Sequence, residues 1–215
     1  MRTSRCWSVV VPVKPLDRAK SRLHELPASL RAELVLAMAV DTVAAAVGCA
    51  SVAAVYVVTD DPLVGPAVLG LGAVVVPDVP DAGLNPALEY GATMAARARP
   101  DCGVAALAAD LPALTSAGLE AALAGAGRHA RALATDGRGG TTLLAVGSGL
   151  PLRPEFGEGS EGRHIRGGAV ALAVTGAEGL RIDVDTAADL AAAARLGLGA
   201  RTRAVLASVP DRGPG

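Results

Sequence analysis

Val9–Leu23 reads VVVPVKPLDRAKSRL, and the way this stretch leaves its apolar run decides the fold. Val9, Val10, Val11 and Val13 are β-branched and predict a buried strand interrupted by Pro12. The chain then leaves through Lys14-Pro15 and carries Arg18, Lys20 and Arg22 in one short loop. A strand end that opens into a cationic loop is where phosphates sit in an open α/β sheet. Lys14 and Lys20 are the only lysines of the chain; the other permanently cationic side chains are arginines. A compact ammonium acts on phosphate as a mobile point charge, which a guanidinium fork does not. The alternative is a solvated basic loop at an edge strand.

Working outward, 215 residues with half of them apolar are enough for one domain with a substantial core. Aromatic residues are limited to Trp7, Tyr56, Tyr90 and Phe156, so stacking platforms for single-stranded nucleic acid are not expected. A net charge of -1 argues against a general nucleic-acid or membrane-surface partner. Cys6, Cys49 and Cys102 are widely spaced and form no CxxC motif. A disulfide scaffold or structural zinc is therefore not expected, and the chain reads as cytoplasmic. The N-terminal apolar run is too short for a signal peptide, and no stretch suits a membrane span.

The pattern predicts a helix opened by Pro27 and stopped at Gly48, a strand over 52–59, a short helix over 62–69 and a strand over 73–76. Asn85-Pro86 reads as an N-cap and first-turn pair for a helix to Arg97. A strand over 103–109 ends at Asp110-Leu111-Pro112, and a helix starts near Thr115. Strands follow at 131–135 and 141–146, then an irregular Gly/Pro-rich segment over 147–168, then strands at 169–174 and 180–184. Thr186 caps a helix over 187–196. The tail, 199–215, carries little structural signal. Alternating strands and helices predict a mostly parallel sheet covered on both faces, with one antiparallel strand in the second half. No repeat or linker divides the chain, so the core spans about 8–197 within a single domain over 1–215.

Three kinds of group suit a phosphate-rich substrate: cationic cover, carboxylates for a metal, and backbone or hydroxyl donors. Asp110 stands at the carboxyl end of an Ala/Val strand, where an unpaired buried carboxylate would be costly, and suits a Mg²⁺ ligand. Asp183 and Asp185 are spaced to face one side of an extended segment and offer a second ligand, Asp183 or Asp185. Local alternatives are a turn role for Asp110 and a cap role for Asp185. Thr141, Thr142 and the run Phe156-Gly157-Glu158-Gly159-Ser160 supply donors to an anion. Arg163, His164 and Arg166 follow; a phosphate contact or a surface imidazole suits His164 better than a base. Asn85 is the only carboxamide, a cap or, beside Gly83-Leu84, a reader of a base edge or ribose.

In this order, PVKPLDRAKSRL, DAGLNPALEYG, ALAADLPAL, TDGRGGTTLL, FGEGS and LRIDVDTAADL resemble one family. It comprises the phosphoenolpyruvate or 2-phospho-L-lactate guanylyltransferases of coenzyme F-420 biosynthesis, within the MobA-like nucleotidyltransferase superfamily. The resemblance runs from about Val9 to Leu196. It implies a three-layer α/β sandwich of the nucleotide-diphospho-sugar transferase type, with a mixed, mostly parallel sheet. It implies transfer of a guanylyl group from GTP to phosphoenolpyruvate, giving enolpyruvoyl-2-diphospho-5'-guanosine and diphosphate, with Mg²⁺. Carried over, nucleotide binding falls on Lys14, Arg18, Lys20, Gly83 and Asn85, with Lys14, Lys20 and Asp110 catalytic. Acceptor binding falls on Thr142, Gly157 and Ser160, and metal binding on Asp110, Asp183 and Asp185. Thr186-Ala187-Ala188-Asp189 departs from the Pro and acid that often follow the Thr in related enzymes.

A phosphate monoester has its second pKa at about 6, so the attacking oxygen needs no general base, and no covalent enzyme intermediate is expected. Other readings are 2-phospho-L-lactate as acceptor, a nucleotidyltransferase using another nucleotide or a molybdopterin or sugar phosphate, and a non-enzymatic nucleotide binder. The missing GxGxxG after the first strand argues against a dinucleotide cofactor. A homo-oligomer is left open.

Overall fold

β1 (Trp7–Pro12) is an interior strand, and its side chains alternate between two cores. Val9 and Val11 pack with Leu34 and Met38 of α1 (Ala28–Val47), whereas Val10 packs with Leu88 and Ala92 of α3 (Leu84–Ala98). That alternation follows from the two-residue period of a strand and makes β1 a partition between two helical layers. The computed structural model describes residues 6–16, 27–79, 81–173 and 175–208. The remaining strands are β2 (Val52–Val58), β3 (Val74–Val76), β4 (Gly103–Leu107), β5 (Arg131–Thr135), β6 (Thr141–Val146) and β7 (Val170–Ala171). The remaining helices are α2 (Val64–Leu69), α4 (Ser116–Ala126), α5 (Ser160–Arg166), α6 (Ala187–Leu196) and α7 (Ala200–Ala207).

The sheet has the order β3-β2-β1-β4-β6-β5-β7. β6 runs against both β4 and β5, and the other pairings are parallel. The expected α/β sandwich with one antiparallel strand is therefore present. Thr186 caps α6 through a reciprocal capping box with Asp189. Thr115 caps α4 by accepting from Gly118 N–H.

Five local expectations are corrected. Residues 180–184 are not a strand: Glu178–Arg181 form a 3-10 turn. Its apolar side chains do alternate inward, with Leu180 and Val184 fully buried, but they seal the core below α4 and add nothing to the sheet. Gly179 allows that packing, since a Cβ there would collide with the Ala113 carbonyl oxygen. The segment over 147–168 contains α5. The strand expected over 169–174 is reduced to Val170–Ala171. Asn85 does not cap α3: Gly83 precedes the helix, and the Asn85 side chain is used elsewhere. The tail contributes α7, because Asp41 of α1 accepts from Arg201 N–H at 3.0 Å and Thr202 N–H at 2.8 Å. That cap lies far away in sequence, so no local signal marks it.

The cysteine reading is corrected as well. Cys6 and Cys102 form a disulfide, with Cα atoms 4.9 Å apart. They stand one residue before the paired Trp7 and Gly103, at the amino ends of adjacent parallel strands. Widely spaced cysteines thus meet through strand register, and cysteine usage no longer supports a reducing compartment. Cys49 is a buried free thiol. Among the described residues no helix is long and apolar enough to cross a membrane.

Candidate active site

The sheet opens where the strand order reverses. β1 pairs with β4 only as far as Val10↔Ala106, but with β2 as far as Pro12↔Val58. Pro12 has no N–H to offer β4, and the chain after β4 bonds to the other side, Ala108 N–H to Thr142 O at 2.8 Å. Such a split at the carboxyl ends of parallel strands is where open α/β sheets take ligands. Lys14 leaves β1 exposed at this crevice, and Asp110, partly buried, follows β4. The exit from β1 is pinned by Asp61, which accepts from Leu16 N–H at 2.9 Å and from Leu63 and Val64. Burial opposes ionisation of Asp61, but these three amides outweigh it and hold its pKa below the usual carboxylate value. Arg18 and Lys20 lie outside the described residues.

The segment after the 3-10 turn is tied to the same strand end. Val184 N–H donates to Asp110 O at 3.0 Å. Asp183 consequently stands in the field of Asp110, and its pKa is raised first by burial and then by the Asp110 charge, with Asp136 and Asp185 adding to it. Arg138 works in the other direction: its guanidinium bonds Asp183 at 2.7 Å and Asp189 at 2.5 Å, with Asp136 at 3.8 Å. Asp189 Oδ2 also accepts from Asp185 N–H at 3.2 Å and Thr186 N–H at 2.8 Å. Among the described residues no three His, Cys, Asp or Glu side chains form a ready-made metal cluster. Two converging carboxylates nevertheless suit a hard divalent cation that takes its other oxygens from a substrate phosphate and water.

A second group of donors lies across the sheet. The β5–β6 register shifts between Ala134 and Thr135, leaving Thr142 as the extra residue beside the Thr135↔Thr141 pair. Thr142 is buried and its hydroxyl donates to Ala134 O at 3.4 Å. Ser160, also buried, opens α5; its N–H donates to Gly157 O at 3.0 Å and its hydroxyl to Thr141 Oγ1 at 3.2 Å. Gly157 has φ +121°, a conformation that favours glycine. Asn85 holds this loop by a reciprocal pair, accepting from Phe156 N–H at 2.8 Å and donating to Phe156 O at 3.2 Å. It therefore joins the helix after Gly83 to the loop that carries Gly157 and Ser160.

Residues 7–210 match the model of the family described as "Guanylyl transferase CofC like". The chain belongs to this family. It is 55% identical over 210 residues to a Thermomonospora curvata protein named phosphoenolpyruvate guanylyltransferase, covering 97% of this chain and 92% of that protein. A Streptomyces coelicolor protein of the same name is 52% identical over 203 residues, covering 94% and 96%. Among solved structures, a Desulfovibrio desulfuricans protein assigned as a nucleotide-diphospho-sugar transferase superposes with TM-score 0.68 at 17% identity, covering 94% of both chains. A nucleotidyl transferase from Methanothermobacter superposes with TM-score 0.57 at 20% identity, covering 89% of this chain and 97% of that one. Both place this guanylyl transferase-like chain in the nucleotide-diphospho-sugar transferase type of fold.

Within this CofC-like chain, the Val184–Asp110 bond brings the segment of Asp183 and Asp185 to the strand end of Asp110, and Asp183 feels the charges of both. His164 departs from expectation. It is fully buried, T-stacked on Phe156 at 5.3 Å, and bonded at both ring nitrogens, so it is neither a surface imidazole nor a phosphate contact. Arg138 and Asp61 were not singled out by the sequence. A lone Arg within Gly137-Arg138-Gly139-Gly140 was the one available hint for Arg138, since glycines on both sides let an arginine approach a neighbouring chain segment.

Proposed function

We propose that this chain, as a single nucleotidyltransferase domain, transfers the guanylyl group of GTP to phosphoenolpyruvate, releasing diphosphate. The observation that carries the reading is the Val184 N–H to Asp110 O bond, which brings Asp183 to the carboxyl end of β4, the strand paired with β1 ahead of its exit at Lys14. The choice of substrates follows the names of the relatives at 50–55% identity. Coenzyme F-420 biosynthesis and a cytoplasmic location accord with that reading.

In this scheme a phosphate oxygen of the acceptor forms a bond to the α-phosphorus of GTP as the bond to the β-phosphate oxygen breaks. Mutual repulsion of the two anions is the barrier. Lys14 brings an ammonium to the triphosphate from the exit of β1, and Lys20 and Arg18, close by in sequence, are assigned to the same anion. Gly83 and Asn85 border the nucleotide, and Thr142, Gly157 and Ser160 position the acceptor. Asp110 and Asp183, with Asp185 adjacent, would hold Mg²⁺; bound there, it supplies charge neutralisation and polarises a phosphoryl oxygen. The acceptor phosphate is already ionised near neutral pH, so no side chain is needed as a base.

The test is product mass spectrometry with GTP or ATP against phosphoenolpyruvate and 2-phospho-L-lactate. Guanylylated phosphoenolpyruvate is expected as the main product. A product only from 2-phospho-L-lactate, or only from ATP, would replace the substrate assignment. Asp110→Asn is expected to lose turnover at least about a hundredfold while keeping its fold. Near-normal diphosphate release from that variant would remove Asp110 from the chemistry.

A further inference from the structure

Among the buried titratable groups that the mechanism above leaves unused, His164 alone is bonded to a residue flanking the acceptor site at Thr142 and Ser160. His164 is fully buried on α5, and each of its ring nitrogens has a partner. Nε2 accepts from the main-chain N–H of Glu155 at 2.9 Å. An amide N–H can only donate, so Nε2 must carry its lone pair. The neutral ring then bears its proton on Nδ1, which donates to Thr141 Oγ1 at 3.0 Å. Ser160 Oγ donates to the same oxygen at 3.2 Å. With both acceptor positions of Thr141 filled, the remaining tetrahedral direction is its own O–H. No acceptor for that proton is recorded among the described residues, and Thr141 retains 8% exposure.

We infer that His164 is a positioning residue: fixed by the Glu155 amide in its Nδ1–H tautomer, it turns the Thr141 hydroxyl outward as a donor to the anionic acceptor held beside Ser160. This rests on the acceptor site proposed above. Polarity is set at the backbone and transmitted in one direction, from Glu155 N–H to His164, to Thr141, to the substrate. A protonated imidazole would put a second N–H against the Glu155 amide and break the chain at its origin. Arg131 and Arg163 disfavour that cation and Glu155 favours it, and burial sets the outcome, with the His164 pKa lowered to about 4.

Two pairs of variants test it in the full-length protein. His164→Gln keeps an acceptor where Nε2 was and loses the donor to Thr141. His164→Asn keeps an amide N–H where Nδ1 was. Thr141→Val removes the hydroxyl, and Thr141→Ser restores it. His164→Gln and Thr141→Val are expected to raise KM for phosphoenolpyruvate about tenfold, with kcat and KM for GTP within about twofold. His164→Asn and Thr141→Ser are expected to stay within about twofold of the parent in KM for phosphoenolpyruvate.

Equal KM shifts for His164→Asn and His164→Gln, or an unchanged KM in Thr141→Val, would overturn the inference. So would a limb near pH 6.5 in kcat/KM that His164→Gln abolishes. Calorimetric binding of phosphoenolpyruvate runs alongside turnover. A parent protein that neither binds nor uses phosphoenolpyruvate removes the acceptor reading itself, whereas a parent that binds it with variants unaffected removes only the His164 chain. If His164→Gln does not fold, the Thr141 pair decides the matter alone.

Discussion

The main-chain N–H of Val184 donates to the carbonyl of Asp110 at 3.0 Å. This bond takes the place of a strand pairing. It brings the Asp183–Asp185 segment to the carboxyl end of β4, at the split in the sheet beside the exit of β1. Like charges gathered there are costly without a cation, and four consequences follow from how the protein manages that cost and its other buried groups.

Asp183 has a raised pKa, so its ionised form is disfavoured in the fold, by burial first and by Asp110 second. The sign follows: its favourable contribution is complete below the ordinary carboxylate range and is lost as pH rises through the raised folded value. In metal-free buffer at pH 7.5, Asp183→Asn should melt at or about 2–4 °C above the parent. Millimolar Mg²⁺ should raise the Tm of the parent at pH 7.5, less at pH 5, and least in the variant. A variant melting several degrees below the parent without Mg²⁺ would contradict this.

Arg138 spans Asp183, Asp189 and Asp136, so its loss leaves three carboxylates facing one another. Arg138→Ala should cost about 1–3 kcal/mol in urea unfolding, and Arg138→Lys should recover only part of it, since an ammonium lacks the fork that reaches two carboxylates. Equal stability of Lys and Arg at this position would show that simple charge suffices.

The Cys6–Cys102 bond closes a loop spanning a sequence separation of 96 at the end of the sheet opposite Lys14 and Asp110. Reduction, or Cys6→Ser, should lower stability by about 2–4 kcal/mol and leave KM for both substrates unchanged. Thiol titration of the denatured, unreduced protein should find one thiol, Cys49. Finding all three cysteines reactive would show that the bond does not form in solution.

His164, with its pKa lowered to about 4 from 6.5, stabilises the fold above pH 6.5, and this contribution is lost as pH falls from 6.5 through about 4, because the unfolded chain takes the proton first. The Tm should therefore fall over that window, and the slope should flatten in His164→Asn. An unchanged slope in the variant would assign the acid sensitivity to other groups.

The element order from β1 through β6 was legible from the residues because it rests on local physics. β-branched runs, Gly48 as a stop, the helix start near Thr115, Thr186 as a cap, and the Asp110 strand end all act within a few residues of where they stand. The alternation over 180–184 misled for an instructive reason: a two-residue apolar period reports which side chains face inward, not whether the backbone finds a strand to pair with. α7 and the disulfide were illegible because their partners, Asp41 and the register of β1 with β4, are distant in sequence.

For the site, the types of residue were present in the sequence and their assembly was not. A carboxylate at a strand end marks where charge is expensive, and two carboxylates spaced by two face one side, so Asp110 and the pair Asp183 and Asp185 are candidates on sequence alone. Only the tertiary structure decided that Arg138 answers Asp183, that Asn85 ties α3 to the loop of Phe156, and that His164 is locked inside with a partner at each ring nitrogen. Hydrogen-bond partnership between remote segments depends on ångström-scale placement, which no local pattern of residues encodes.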